Sequence, residues 1–214
     1  MIKEACVENF VSVPKNIAAG AGRIELNNNL QVGGTTPSFG VIKKTVDYAH
    51  GFQVPVVVMI RPRGGNFVYD SIELDMMKND IQIAGLLGAD AVTFGCLTKQ
   101  HLLNKVQMEE LVSLATALGL DVVMHMAFDH ITESDQKNAI TSLISMGVKR
   151  ILTHGGNLEG PIEANFDHLK KIIAWANNQI EILPGGGINT SNASLVAGEL
   201  RVNQLHGTKI VLPK

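Results

Sequence analysis

Apolar positions along this chain alternate between two periods. Short runs rich in Val and Ile occupy residues 2–7, 23–27, 54–60, 91–95, 122–127, 150–153, 180–183 and 204–210. Their length and near-continuous apolar character predict strands buried on both faces. Between them, apolar residues recur three and four apart, the spacing of one helix face. Val41, Ile42, Thr45, Val46 and Ala49 form such a face behind Ser38 as N-cap. Leu74, Met77, Ile81 and Ala84 form another behind an Asp70-x-x-Glu73 capping box. Met108, Leu111, Val112, Ala115 and Leu118 make a third. Ile140, Leu143 and Ile144 follow a Thr132-x-x-Asp135 start, and Phe166, Leu169, Ile172, Ile173 and Ala176 follow Pro161. Short helices are expected near residues 13–19 and 192–199.

Glycines punctuate the repeat. Gly20 and Gly22, Gly88, Gly119 and Gly147 each precede a strand, where a helix C-cap releases the chain. Eight strands alternating with helices in 214 residues predict a single α/β domain over residues 1–214, a (β/α)8 TIM-type barrel. A doubly wound sheet would want a Gly-rich loop after the first strand, and Val7-Glu8-Asn9-Phe10-Val11 is not one. The chain runs only four residues past Ile210, so a full eighth helix is not expected. Apolar surface left at the seam would be covered by a second subunit, which predicts a homo-oligomer, a dimer or tetramer.

Composition narrows the function. A formal charge of -2 and a pI near 6.4 give no basic field for nucleic acid. No apolar stretch is long enough to span a membrane, and the first residues carry no apolar signal segment. The two cysteines, Cys6 and Cys96, are expected to be reduced thiols in a cytoplasm.

In a barrel, alternate strand residues point inward and chemistry sits at the C-terminal rim. Parity places Glu4 and Cys6 inside on strand one, and Arg23, Glu25 and Asn27 inside on strand two. It places Met59 and Arg61 inside on strand three, His125 on strand five with Asp129 just beyond, and His206 on strand eight. Glu4, Glu25, His125, Asp129 and His206 suit general acid–base work around one opening. The alternative is a closed lattice of ion pairs that only knits strands together. Met124, Met126 and Cys96 take outward parity, as does His154 beside Leu152. Arg61-Pro62-Arg63-Gly64-Gly65 at the end of a buried strand offers Arg61 and Arg63 to an anion, or to helix carboxylates in a plain turn. Gly185, Gly186 and Gly187 lie where barrels bind phosphate through backbone N–H groups, or form a tight turn without a ligand.

Arg23-Ile24-Glu25-Leu26, Gly33-Gly34-Thr35-Thr36-Pro37-Ser38, Arg61-Pro62-Arg63-Gly64-Gly65 with Phe67 and Tyr69, and His125-x-Ala127-Phe128-Asp129 together resemble the CutC family of copper homeostasis proteins. Ile151-Leu152-Thr153, Gly155 and His206 extend the resemblance over essentially the whole chain. It implies a cytoplasmic, oligomeric (β/α)8 barrel linked to copper tolerance and Cu(I) binding. His154 departs from the Ser that many members carry in a Thr-Ser-Gly turn.

Two functions of different kinds stand at this point. One is a non-catalytic copper homeostasis protein that binds Cu(I) through Cys6, with a soft or imidazole neighbour such as Met59, His125 or His206. The other is a barrel enzyme acting on a small anionic or phosphorylated metabolite, held by Arg61 and the Gly185 to Gly187 turn.

Overall fold

The computed structural model describes residues 1–211. Eight parallel strands alternate with seven α-helices. The strands are β1 (Ile2–Glu8), β2 (Arg23–Asn27), β3 (Val56–Met59), β4 (Ala91–Phe94), β5 (Asp121–Met124), β6 (Arg150–Thr153), β7 (Glu181–Pro184) and β8 (Gln204–Gly207). The helices are α1 (Val13–Ala18), α2 (Phe39–His50), α3 (Ser71–Leu86), α4 (Lys105–Ala117), α5 (Glu133–Met146), α6 (Phe166–Ala176) and α7 (Ala193–Leu200). The strand order is β7-β6-β5-β4-β3-β2-β1-β8, so the last strand returns to the first and the sheet curls into a nearly closed (β/α)8 barrel. No helix among the described residues follows β8, and none is long and apolar enough to cross a membrane.

The helix starts follow the sequence signals. Ser38 Oγ accepts from the Val41 N–H at 3.4 Å. Asp70 and Glu73 close a full capping box, each side chain accepting from the other's backbone N–H at 2.8 and 3.1 Å. Gly147 ends α5 in the left-handed region at φ 83°, where a Cβ is disfavoured.

Two apolar layers result. The larger lies between strands and helices and takes the outward residues of every strand, Val56 and Val58, Val92 and Phe94, Val122 and Met124 among them. Cys96 belongs to it, as its parity predicts. The smaller fills the barrel with Val57, Ala91, Val123, Leu152 and Leu183.

Leu152 corrects the parity expected on β6. Arg150 and Leu152 face inward and Ile151 outward: Ile151 and Leu152 are equally apolar, and the sign on this strand is carried by Arg150. His154 therefore turns toward the barrel's end, where its Nδ1 lies 3.0 Å from the Gly185 carbonyl. Met126 also reverses. β5 stops at Met124, three residues short of the expected limit, and a 3-10 helix spanning Met126–His130 begins. Met126 then packs onto the inner layer. β8 likewise ends at Gly207, not at residue 210.

The seam between β7 and β8 lacks a strand ladder and is bridged otherwise. Gln204 donates to Glu181 Oε2 at 3.0 Å, and Arg23 donates to Gln204 Oε1 at 2.8 Å. Arg150 reaches the same Glu181 oxygen at 3.0 Å. Beyond the strands, Asn189 and Lys209 make one parallel bridge. Gln204 is thus the link that joins the two edges inside the barrel. Gln204→Leu leaves a buried Arg23 donor without its acceptor and should cost about 1–3 kcal/mol. Urea unfolding would measure it; an unchanged midpoint would show that the side-chain bridge does not hold the seam.

Candidate functional site

Strand register brings the inward groups together. β1 pairs with β2 so that Glu4 lies beside Arg23 and Cys6 beside Glu25, and it pairs with β8 so that Glu4 lies beside His206. All five are buried. Glu4 accepts from the Arg23 Nε–H on one oxygen and from His206 Nδ1 at 2.7 Å on the other. His206 Nε2 stands 3.8 Å from a Glu25 oxygen. The other link of Glu25 is Asn27, whose Nδ2 donates to it at 2.9 Å and lies 3.5 Å from Cys6 Sγ.

The electrostatics follow from these contacts. Burial alone would push the Glu4 carboxyl up, but the His206 hydrogen bond and the Arg23 and His206 charges outweigh it and hold it at about 2. Burial opposes charge on His206 as well, yet Glu25, Cys6 and Glu4 around the ring raise it well above the usual histidine range. Glu25 itself is raised, chiefly by burial. Burial and the neighbouring Glu25 push the Cys6 thiol up to about 11. At neutral pH the site therefore holds an imidazolium and a protonated thiol.

Above this floor lies a cavity of about 140 Å³. Cys6, Glu25 and His206 open onto it, and Met59, Met126 and Leu152 wall it. Phe67, half-buried, lies with its ring centroid 5.0 Å from that of His125 and tilted by 57°, and His125 also lines the space. Cys6, Glu25 and His206 present ligand atoms within 4.8 Å of one another, a spacing a single metal ion can bridge. Two sulfur-bearing walls, Met59 and Met126, stand beside them. Met126 could not be read from parity, because its direction depends on where β5 stops.

The remaining expected site residues are held elsewhere. Arg61 donates to the carbonyls of Val32 and Gly34 at 2.9 Å and of Gly65 at 2.8 Å, and its guanidinium covers Phe67 at 4.7 Å. Arg63 pairs with Glu73 and donates to the Asn66 and Val68 carbonyls at 2.9 Å. Neither arginine lines the cavity. Asp129, half-buried, accepts from the Thr153 hydroxyl, from the His154 N–H at 2.9 Å and from the Gly155 N–H at 3.0 Å. Burial raises its carboxyl while those donors hold it down. It braces the turn after β6 and stays outside the cavity. The Gly185 N–H is taken by the Thr153 carbonyl at 3.0 Å. Gly186 and Gly187 adopt φ 87° and 73°. A side chain on Gly185 would meet Leu152 at 2.6 Å and His206 at 3.2 Å, so this turn packs directly against the site.

The CutC family profile matches residues 1–211. A family protein CutC of Enterococcus faecalis is 52% identical over 99% of this chain and 100% of its own length. A human copper homeostasis protein cutC homolog is 37% identical over 96% of this chain and 72% of its own. The crystal structure of a CutC protein from Streptococcus agalactiae superposes with a TM-score of 0.94 at 44% identity, covering 98% of this chain and 99% of that one. A deoxyribose phosphate aldolase from Aeropyrum pernix shares the barrel alone, at 12% identity and a TM-score of 0.71 over 96% of this chain and 85% of its own.

His125 gives the site a pH signature. Burial, with the charge of Arg61, holds its imidazole down at about 3. An unfolded histidine protonates near 6.5, so below that pH the unfolded chain binds a proton that the folded one refuses. The stability contribution is complete above pH 6.5 and is lost as pH falls toward 3, at no more than about 1.4 kcal/mol per pH unit. Glu25, shifted upward, acts in the opposite sense between pH 4.5 and its folded value. The difference between wild type and His125→Asn therefore isolates the histidine. Urea midpoints from pH 7 to 4.5 should fall more steeply in the wild type; parallel curves would contradict a buried neutral imidazole.

Proposed function

The chain belongs to the CutC family, and from that premise we propose that it binds Cu(I) as cargo at the barrel mouth, with Cys6 and His206 as principal donors. The relatives named for copper homeostasis give the biological frame. The observation that carries the reading is the convergence of Cys6, Glu25 and His206 within 4.8 Å in a buried space. Thiolate and imidazole suit Cu(I), and the thioethers of Met59 and Met126 add soft groups beside them. Glu25 is the hardest donor of the three; its role is to take charge and proton as the ion enters. Cys96 stays in the outer core and contributes nothing to this centre.

Deprotonation is part of binding. The Cys6 thiol at about 11 and the raised His206 ring must each release a proton before they ligate. A reducing cytoplasm, which keeps Cys6 as a thiol, fits this chemistry. The alternative of a phosphorylated metabolite draws less support. Arg61 and Arg63 spend their donors on carbonyls and on Glu73, and a cavity of about 140 Å³ is small for a sugar phosphate.

Competition with a chelator of known strength, under anaerobic conditions, tests the reading. Cys6→Ala should weaken Cu(I) binding by about 100-fold or more, and His206→Ala by about 10-fold or more. Affinity should rise from pH 6 to 8 by up to about tenfold per pH unit for each proton released. Equal affinity in Cys6→Ala, or an affinity flat with pH, would overturn the site.

A further inference from the structure

His125 is not placed as a copper ligand. Its Nδ1 accepts the Ala127 N–H at 3.2 Å, so the ring proton resides on Nε2. That bond caps the Met126–His130 helix and fixes the tautomer. Nε2 is the ring's outer corner, away from the backbone. It is buried and has no protein partner within hydrogen-bond distance among the described residues. A buried donor of this kind calls for an acceptor. His125 is 3% exposed and lines the same cavity as Cys6, Glu25 and His206.

We propose that this cavity is also a binding site for a short organic monocarboxylate, of two to four carbons, whose carboxylate oxygen accepts the Nε2–H of His125. Size sets the first limit. About 140 Å³ is roughly four or five water volumes at about 30 Å³ each, enough for a molecule of five or six heavy atoms. The walls set the second. Met59, Met126, Leu152 and Phe67 offer apolar and polarizable surface to a short alkyl body. Charge sets the third. Arg23 is paired with Glu4, and Arg61 is the cation on the His125 side, behind Phe67. Arg61 acts from behind the Phe67 ring, 4.7 Å away, and through it on the His125 side of the cavity. A tetrahedral dianion such as phosphate would bring too much charge toward Glu25 and no apolar body for the walls.

The site shares its cavity with the copper reading but not its donor, which lies on the exit of β5 and not on β1 or β8. The experiment uses copper-free full-length protein at neutral pH, so its outcome does not depend on metal affinity. Acetate, propionate, butyrate and pyruvate are titrated by calorimetry, with propanol and propylammonium as controls. Saturable binding is expected for the carboxylates and not for the controls. His125→Asn keeps an oxygen to accept the Ala127 N–H but lacks the outer donor, so its fold should survive while carboxylate binding weakens at least tenfold. In the wild type, the Nε2–H nuclear magnetic resonance signal of His125 should shift along the titration. Failure of all four carboxylates to bind, equal binding by propanol, undiminished binding by folded His125→Asn, or a stationary His125 signal would each overturn the proposal.

Discussion

Glu4, Arg23 and His206 meet inside the barrel where none of them can keep its water. Each buried ion costs several kcal/mol to desolvate, and that cost is met only when its polar atoms find partners with good geometry. Here one Glu4 oxygen takes Arg23 and the other takes His206. The three residues belong to β2, β1 and β8, the place where the sheet closes on itself. A slip of one residue in any of these strands would turn a charge toward the apolar outer layer. The triad therefore fixes the register of the closing strands. That register in turn sets Cys6 beside Glu25 and within reach of His206. The donor cluster is a geometric consequence of how the barrel shuts.

The same chain of contacts extends below and above. Downward, Arg23 passes through Gln204 to Glu181 and Arg150, and so ties β8 to β7 across the seam. Upward, the loops over the mouth are held by side chains that address backbone groups. Arg61 gathers carbonyls from the loops after β2 and β3, and Asp129 gathers N–H groups from the turn after β6. Floor, seam and rim are thus stiffened by buried polar contacts, and the cavity between them is preformed.

How far this could be read from residue order depends on what each feature leaves in the sequence. The strand and helix repeat leaves two periods and capping residues, so the barrel, the Ser38 and Asp70 caps and the inward face of β1, β2 and β8 were legible. Charged residues at alternate positions mark an inner face clearly, as Glu4, Arg23 and Glu25 do. On β6 the mark is Arg150, which shares the inward parity of Leu152; alternation taken from Ile151 and Leu152 alone gives the wrong face. Met126 depends on the strand ending at Met124, and His125 ends it by turning its ring onto the Ala127 N–H. That contact has no period. Arg61 and Asp129 were legible as charge but not as loop anchors, because their partners are carbonyl and amide groups that every residue carries. The cavity itself is set by side-chain directions from five strands and by the Phe67 loop, which no local pattern encodes.

The charge balance of the floor bears on which cation such a site would admit. Arg23 and His206 both lean on Glu4, which is spent on them, and His206 gives up its remaining charge when it ligates. The charge left to an entering ion is that of Glu25 and of the ionising thiol. A hard divalent ion finds few partners there. It also prefers more oxygen donors than Glu25 supplies. A monovalent, soft ion that accepts two or three ligands loses least. Burial adds a second filter by holding Cys6 as a thiol, which is a poor nucleophile and slow to oxidise until a metal draws off its proton. On the proposed reading, selectivity would then come from the small number and softness of the donors that the closing strands set side by side.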